Sequence, residues 1–220
     1  MTWDASTVAA ASEPVPGSAA SVFGAALPAA VTYAGILATR GVEQGLIGPH
    51  EVPRLWGRHL LNCAVVAELI EPRPVTLLDL GSGAGLPGLV LAMVLPGTAV
   101  TLLEPMERRC RFLAECATEL GLANVTVLRG RAEDVTIRTD LVTARAVAPL
   151  PRLAELAMGV VRPGGVVLAI KGRTAAEELR AAGPVLRRLG ARDARVVRAG
   201  QGKVDPATTV VRFTARRGRA

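Results

Sequence analysis

The chain has 220 residues, half of them hydrophobic, and carries a net charge of +7 with an isoelectric point near 10.5. A chain of this size and composition can bury one sizeable core, which excludes a disordered protein and gives no reason to expect a second catalytic domain. Its three cysteines, Cys63, Cys110 and Cys116, are odd in number and lack paired ligand spacing, which excludes a disulfide scaffold and a cysteine-based metal site; they read as packing thiols.

Residues 1 to about 25 are rich in Ala, Ser and Pro and lack a basic stretch followed by a signal-like apolar core, so a mobile arm is expected ahead of a single domain over 26–220. Residues 28–70 read as a helical portion packed before the sheet, able to supply part of an acceptor surface. Within it, Arg54 and Arg58 lie on successive turns and form either a phosphate-binding edge or a solvated helix face. His59, on an amphipathic stretch, is either a packing residue or a substrate contact. No apolar run approaches the roughly 18–20 residues of a membrane span, so a soluble, cytoplasmic protein is expected.

From Val75 an apolar strand runs directly into Gly81-Ser82-Gly83-Ala84-Gly85-Leu86-Pro87-Gly88. Glycines at 81, 83 and 85 permit positive φ and close approach of a ligand to the backbone, and Pro87 suits the first turn of a following helix over Leu89–Leu95. Gly83-x-Gly85-x-x-Gly88 satisfies the dinucleotide fingerprint, but the longer acidic-x-Gly-x-Gly-x-Gly pattern from Asp79 to Gly85 favours S-adenosylmethionine. A tight strand-to-helix turn that binds nothing is the bland alternative.

A second strand, Ala99–Glu104, ends in a carboxylate placed to accept ribose hydroxyls at the edge of a parallel sheet. A helix over Met106–Leu120 and a third strand, Val125–Leu128, lead to Arg131-Ala132-Glu133-Asp134, where acidic side chains stand near an adenine or form a solvated turn. Arg131 reaches either a phosphate or Glu133. A fourth strand, 141–147, precedes a helix over Leu150–Val160, a turn at Arg162–Gly165 and a fifth strand, Val166–Ile170. Arg145 and Lys171, at the carboxyl ends of strands four and five, are expected to face the ligand crevice of an open α/β sheet; ordinary surface charge or carboxylate pairing is the alternative. Two further runs, near Arg195–Arg198 and Thr208–Thr214, lack room for an intervening helix and are expected to pair antiparallel at one edge. The resulting fold class is α/β: a Rossmann-like, mostly parallel sheet with an antiparallel edge and an amino-terminal helical extension, as in class I S-adenosylmethionine-dependent methyltransferases.

Six segments carry a more specific likeness: Leu55–Asn62 (Leu-Trp-Gly-Arg-His-Leu-Leu-Asn), Leu78–Gly88, Arg108–Leu113, Arg131-Ala132-Glu133, Ala144-Arg145-Ala146 and Leu168–Gly172. On these the sequence resembles the bacterial small-subunit ribosomal RNA guanine-N7 methyltransferases, the methyltransferase G or glucose-inhibited division protein B family. The resemblance implies donor contacts from Gly81, Gly83, Gly85, Leu86 and Glu104, with Ala132 and Glu133 around the adenine and Arg145 beside the reacting end. It departs at Asn62-Cys63, where the family often has Asp-Ser, and at Glu104, where Asp is also common.

The implied acceptor is one guanine of 16S rRNA near the decoding region, presented as free RNA or in the 30S subunit to a monomer that uses no metal. After strand four the chain has Ala144-Arg145-Ala146-Val147-Ala148-Pro149 and not the Asn/Asp-Pro-Pro-aromatic motif of exocyclic amine methylation. Guanine N7 has a free lone pair and no proton to lose, so attack there needs no general base, and cations such as Arg145 and Lys171 are tolerable beside it. The charge and the basic stretch Arg212–Arg219 suit a polyanion, while 3% aromatic residues leave few stacking platforms, favouring phosphate and shape recognition of folded RNA.

Overall fold

Apolar β-branched runs alternating with amphipathic stretches build a seven-stranded sheet with helices on both faces. The computed structural model describes residues 13–70 and 76–216. Along the sheet the order is β3-β2-β1-β4-β5-β7-β6, with β1 Thr76–Leu80, β2 Ala99–Glu104, β3 Val125–Arg129, β4 Thr139–Arg145, β5 Val161–Lys171, β6 Ala191–Ala199 and β7 Thr208–Ala215. The first five strands are parallel; β7 lies antiparallel to both β5 and β6. The expected antiparallel edge is thus present. Val75 and the four residues before it lie outside the described residues.

Strand order reverses between β1 and β4, and the crevice for a ligand in such sheets opens at that point, beyond the carboxyl ends of the strands. Alternation along β1 sends Leu77 to one core and Leu78 and Leu80 to the other. One face is covered by α5 Leu150–Val160 and α6 Ala175–Arg188; the other by α3 Gly88–Val94, α4 Glu107–Glu119 and the amino-terminal helices.

Two sequence expectations need correction at the carboxyl half. No element was assigned between the fifth strand and Arg195, yet α6 fills that space. Pro184 is accommodated inside this helix, which buries only the narrow stripe Ala175, Ala182 and Leu186. The turn at Arg162–Gly165 is a loop inside β5: Val161 pairs with Thr139, residues 162–165 bulge out, and Val166 resumes pairing at Leu141.

The amino-terminal layer is more ordered than its composition suggests. The segment expected to be a mobile arm as far as residue 25 contains α1, Gly17–Phe23, whose Ala19 and Phe23 are buried, and Phe23 meets Trp56 edge to face at 6.1 Å. Residues 1–12 lie outside the described residues. After a 3₁₀ turn, α2, Leu27–Ile36, continues into a π-helical turn, Leu37–Gly41. The helical run Gly17–Gly41 is long and apolar enough, by length and composition, to cross a membrane, which corrects the expectation that no run approaches that length. Its Ala30, Tyr33 and Leu37 are fully buried in the core. Next come a 3₁₀ turn Pro49–Arg54, a π-helical turn Leu55–Leu61, and helical turns Asn62–Ala64 and Val65–Leu69. Glu13 ties the arm down: its carboxylate accepts from the amides of Trp56, at 2.8 Å, and Gly57, at 3.2 Å.

Candidate active site

The glycine loop is shaped from beneath by Asp79. This fully buried carboxylate, at the end of β1, accepts from the Gly88 amide at 3.0 Å, where α3 begins, and from the Thr143 hydroxyl of β4 at 3.2 Å. Burial raises the Asp79 carboxyl to about 6, and hydrogen bonds from Ser82, Gly88 and Thr143 pull against that rise. Gly88 is required by this contact, because a Cβ there would lie 2.6 Å from Asp79 Oδ2 and 2.3 Å from Leu102. Gly81, Gly83 and Gly85 all take positive φ, at 69, 57 and 93°, as the spacing predicts. From the helical layer, the buried Tyr33 hydroxyl donates to the Ala84 carbonyl.

Beyond the loop a cleft of about 290 Å³ opens between the ends of β1, β2 and β4. Leu80, Leu103, Val147 and Leu156 make its apolar wall; Gly81, Glu104, Arg109, Arg131, Ala132 and Glu133 bring the polar groups. Five residues predicted from sequence therefore converge here: Gly81, Glu104, Arg131, Ala132 and Glu133. Gly83 joins them through its amide, which donates to Glu104 Oε2 at 3.0 Å. Gly85 and Leu86 are not in the lining: Gly85 packs under Tyr33 and Leu89, and Leu86 sits in the core.

The cleft fits a nucleoside. Glu104 is only 2% exposed, and its two oxygens accept from the amides of Gly83 and Met106 at 3.0 Å each. An ionised carboxylate has about four acceptor positions, so two remain for ribose hydroxyls. Met106 is 46% exposed beside it, an apolar surface for a base. Arg109, on the first turn of α4, brings Nη1 to 3.9 Å from Glu104, and its Nε is the one buried side-chain nitrogen or oxygen without a hydrogen-bond partner among the described residues. A donor left unpaired at a cleft wall is what a bound acceptor would satisfy.

Arg145 reaches away from this cleft into the helical layer. Its Nη2 donates to the Arg58 carbonyl at 3.2 Å and lies 2.8 Å from His59 Nδ1, while Nη1 donates to Cys63 Sγ at 3.4 Å. Ala146, next in chain and on the cleft wall, has φ of 55°, a strained value for a residue with a Cβ. His59 is buried, and its Nε2 lies 2.8 Å from Glu51 Oε2. Glu51 also binds Arg54 at 2.8 Å and Arg58 at 3.3 Å, so the two arginines of the expected phosphate edge share one carboxylate. Burial, reinforced by Arg145, lowers the His59 imidazole to about 4. Burial acts to raise Glu51, yet His59 and the surrounding arginines leave it lowered.

The remaining candidates are placed elsewhere. Lys171 donates to the Ala148 carbonyl at 3.0 Å and to Glu178 of α6 at 2.8 Å, with its side chain 10% exposed; it is paired with a carboxylate and supports the 146–149 loop from behind. Glu133 pairs with Arg152, not Arg131, which is exposed at the cleft rim. At the Asn62-Cys63 departure, Asn62 donates to Gly57 and accepts from Thr208 of β7, and the Cys63 thiol sits under Arg145. All three cysteines are free, and burial raises each thiol, Cys116 to about 12. Sequence reasoning missed Arg109 and Glu51 as site residues; the run Arg108-Arg109-Cys110-Arg111 was visible, but not which arginine turns inward.

The family model described as rRNA small subunit methyltransferase G matches residues 26–205. Ribosomal RNA small subunit methyltransferase G of Thermobifida fusca is 58% identical over 203 residues, covering 91% of this chain and 85% of the relative. The protein of the same name from Streptomyces avermitilis is 54% identical over 209 residues, covering 94% and 87%. Among solved structures, a SAM-dependent methyltransferase from Aquifex aeolicus superposes with a TM-score of 0.57 at 20% identity, over 80% of this chain and 97% of that one. A SAM-dependent O-methyltransferase from Thermotoga maritima gives 0.57 at 17% identity, over 72% and 66%. These neighbours identify the fold as that of the class I S-adenosylmethionine-dependent methyltransferases, and the choice of that cofactor over a dinucleotide agrees with fold and family alike. By the extent of the match and the identity of its relatives, the chain belongs to the rRNA small subunit methyltransferase G family.

Proposed function

We propose that this chain uses S-adenosylmethionine to methylate N7 of one guanine in 16S rRNA, acting as a cytoplasmic monomer on free RNA or on the 30S subunit and without a metal. The observation that carries the reading is a juxtaposition at the switch point. A cleft with nucleoside chemistry, closed by Glu104 and Arg109, lies beside an arginine, Arg145, that is anchored in the helical layer. When bound, S-adenosylmethionine supplies an electrophilic methyl group on a sulfonium. The names of the relatives supply the acceptor class, small-subunit ribosomal RNA.

Within that reading, Gly81 and Glu104 hold the nucleoside, Ala132 and Glu133 flank the adenine, and the loop backbone at Gly83 and Gly85, with Leu86 packed behind it, sets the cradle. Arg145 orients the reacting end. Guanine N7 has no proton to lose, so no side chain has to act as a base. The one neutral imidazole nearby, His59, has both ring nitrogens engaged. The rate enhancement would come from alignment, worth up to about 7–11 kcal/mol in ideal cases. Arg54, Arg58 and Arg131, all exposed, offer phosphate contacts, and Lys171 positions the 146–149 loop.

Incubating the chain with labelled S-adenosylmethionine and unmethylated 30S subunits or matched deproteinised RNA, then mapping the modified nucleotide, tests this. Label on a single guanine N7 is expected. Label on another atom, or transfer to small molecules alone, would overturn the acceptor; no transfer despite donor binding would favour a noncatalytic RNA-binding role.

A further inference from the structure

Arginine has five N–H donors and no acceptor, so any group within hydrogen-bond distance of a guanidinium nitrogen must accept. His59 Nδ1, 2.8 Å from Arg145 Nη2, is therefore an unprotonated acceptor. The other ring nitrogen, Nε2, faces Glu51 Oε2 at 2.8 Å and carries the hydrogen that donates to it. These two contacts fix one state of the ring out of three: neutral, with the proton on Nε2. A δ1-protonated ring, or an imidazolium, would set an N–H against a donor.

The charged groups around the ring reinforce this. Arg145 approaches from β4 and Arg58 from the same helical turn, and both oppose a positive imidazole, while among the described residues Glu51 of the 3₁₀ turn is the facing group that favours one. Burial sides with the arginines. The Cys63 thiol lies on the far side of the guanidinium and is itself held neutral by burial. Arg145 thus spends three donors on the helical layer: two from Nη2, to His59 and the Arg58 carbonyl, and one from Nη1, to Cys63. Nε and the second Nη1 hydrogen have no partner among the described residues and stay available to a ligand.

We propose that His59 is the positioning residue for Arg145: a neutral imidazole, tethered by Glu51, presents Nδ1 as the acceptor that fixes the guanidinium in the helical layer beside the donor cleft, with its unpaired N–H groups left for a ligand. The role rests on the reading that Arg145 serves methyl transfer. It also places Glu51 at a junction, because the carboxylate that sets the tautomer also binds Arg54 and Arg58. The placement of Arg145 is thereby linked to the surface through which RNA phosphates are read.

Two measurements on the full chain test this. Long-range nitrogen–proton NMR, with the His59 signal assigned by its loss in His59→Asn, should show an Nε2-protonated neutral ring that does not titrate between about pH 8 and about pH 5.5. A charged ring or a δ1-protonated one overturns the proposal. Initial rates of transfer to unmethylated 30S subunits are then compared for wild type, Arg145→Lys, His59→Leu and His59→Asn, each checked for an unaltered melting temperature. Removing the acceptor in His59→Leu should lower kcat by about tenfold or more, close to the loss in Arg145→Lys. His59→Asn, whose Oδ1 can stand in for Nδ1 but cannot reach Glu51, should recover most of that loss. An impaired Arg145→Lys beside an unimpaired His59→Leu overturns the positioning role and leaves the functional reading intact. Equal losses in His59→Leu and His59→Asn, both folded, show that the ring matters for packing and overturn it too. If Arg145→Lys transfers like wild type, the role of Arg145 falls and this inference with it. A wild-type chain that transfers nothing overturns the functional reading itself, while the NMR signal still decides the tautomer.

Discussion

Glu104 is the residue on which the proposed donor site most depends, because its two oxygens already fix the Gly83 and Met106 amides and still offer lone pairs to the cleft. Glu104→Gln would turn an amide NH2 toward one of those backbone donors. We expect a cost of about 1–3 kcal/mol in stability and a loss of donor affinity, read by chemical denaturation and calorimetric titration. Unchanged affinity would remove Glu104 from the donor site. Asp79 and His59 respond to pH with opposite sign. The folded Asp79 carboxyl lies near 6 against an ordinary 3.8, so the folded state holds the extra proton in that window and stability falls as pH rises through it. His59 lies near 4 against an ordinary 6.5, so the unfolded state holds the extra proton and stability rises with pH from about 4 to 6.5. Asp79→Asn removes the first contribution alone. Its unfolding free energy should climb more steeply with pH between about 4 and 6 than that of the wild type; parallel curves would contradict the assignment. Lys171 offers a third contrast. If it serves only Glu178 and Ala148, Glu178→Ala frees its charge and should lower stability without raising RNA affinity; tighter RNA binding would restore Lys171 as a direct contact.

At the scale of elements, the strands and the glycine loop were legible because their signals are local. A period of two, a burst of glycines and acids closing β1 and β2 are written in consecutive residues, and the structure reproduces β1, β2, α5 and the β6–β7 pair closely. What was not legible depends on distant partners. The helix α6 buries only three residues of an Arg- and Ala-rich stretch, and α1 is ordered by Trp56, more than thirty residues downstream. The same holds within the site. Ala132 and Glu133 line the cleft and follow closely on β3 in sequence, whereas Glu51 gains meaning only when His59, Arg54 and Arg58 turn toward it. Two contacts made by the helical layer can be cut. Glu13→Ala uncaps the amides of Trp56 and Gly57 and should cost about 0.5–2 kcal/mol, seen as a lower melting temperature. Tyr33→Phe leaves the buried Ala84 carbonyl without its donor, should cost about 1–3 kcal/mol, and should weaken donor binding by loosening the glycine loop. A melting temperature equal to wild type in either variant would show that the contact does not stabilise the layer.

Taken whole, the molecule joins the proposed donor cleft at the switch point to a helical layer that holds Arg145, and both are set in a chain of net charge +7. The excess charge should appear in RNA binding and not in donor binding. RNA affinity should fall linearly with the logarithm of salt concentration, while donor affinity should change little. The central claim is that one cleft serves the donor and opens toward Arg145. A crystal structure of the chain with S-adenosylhomocysteine tests it most directly. The account predicts the nucleoside between Glu104, Met106 and Ala132, Arg109 Nε satisfied, and the homocysteine end directed toward Arg145. Ligand bound elsewhere, or a nucleoside in the cleft with its homocysteine end turned away from Arg145, would contradict it.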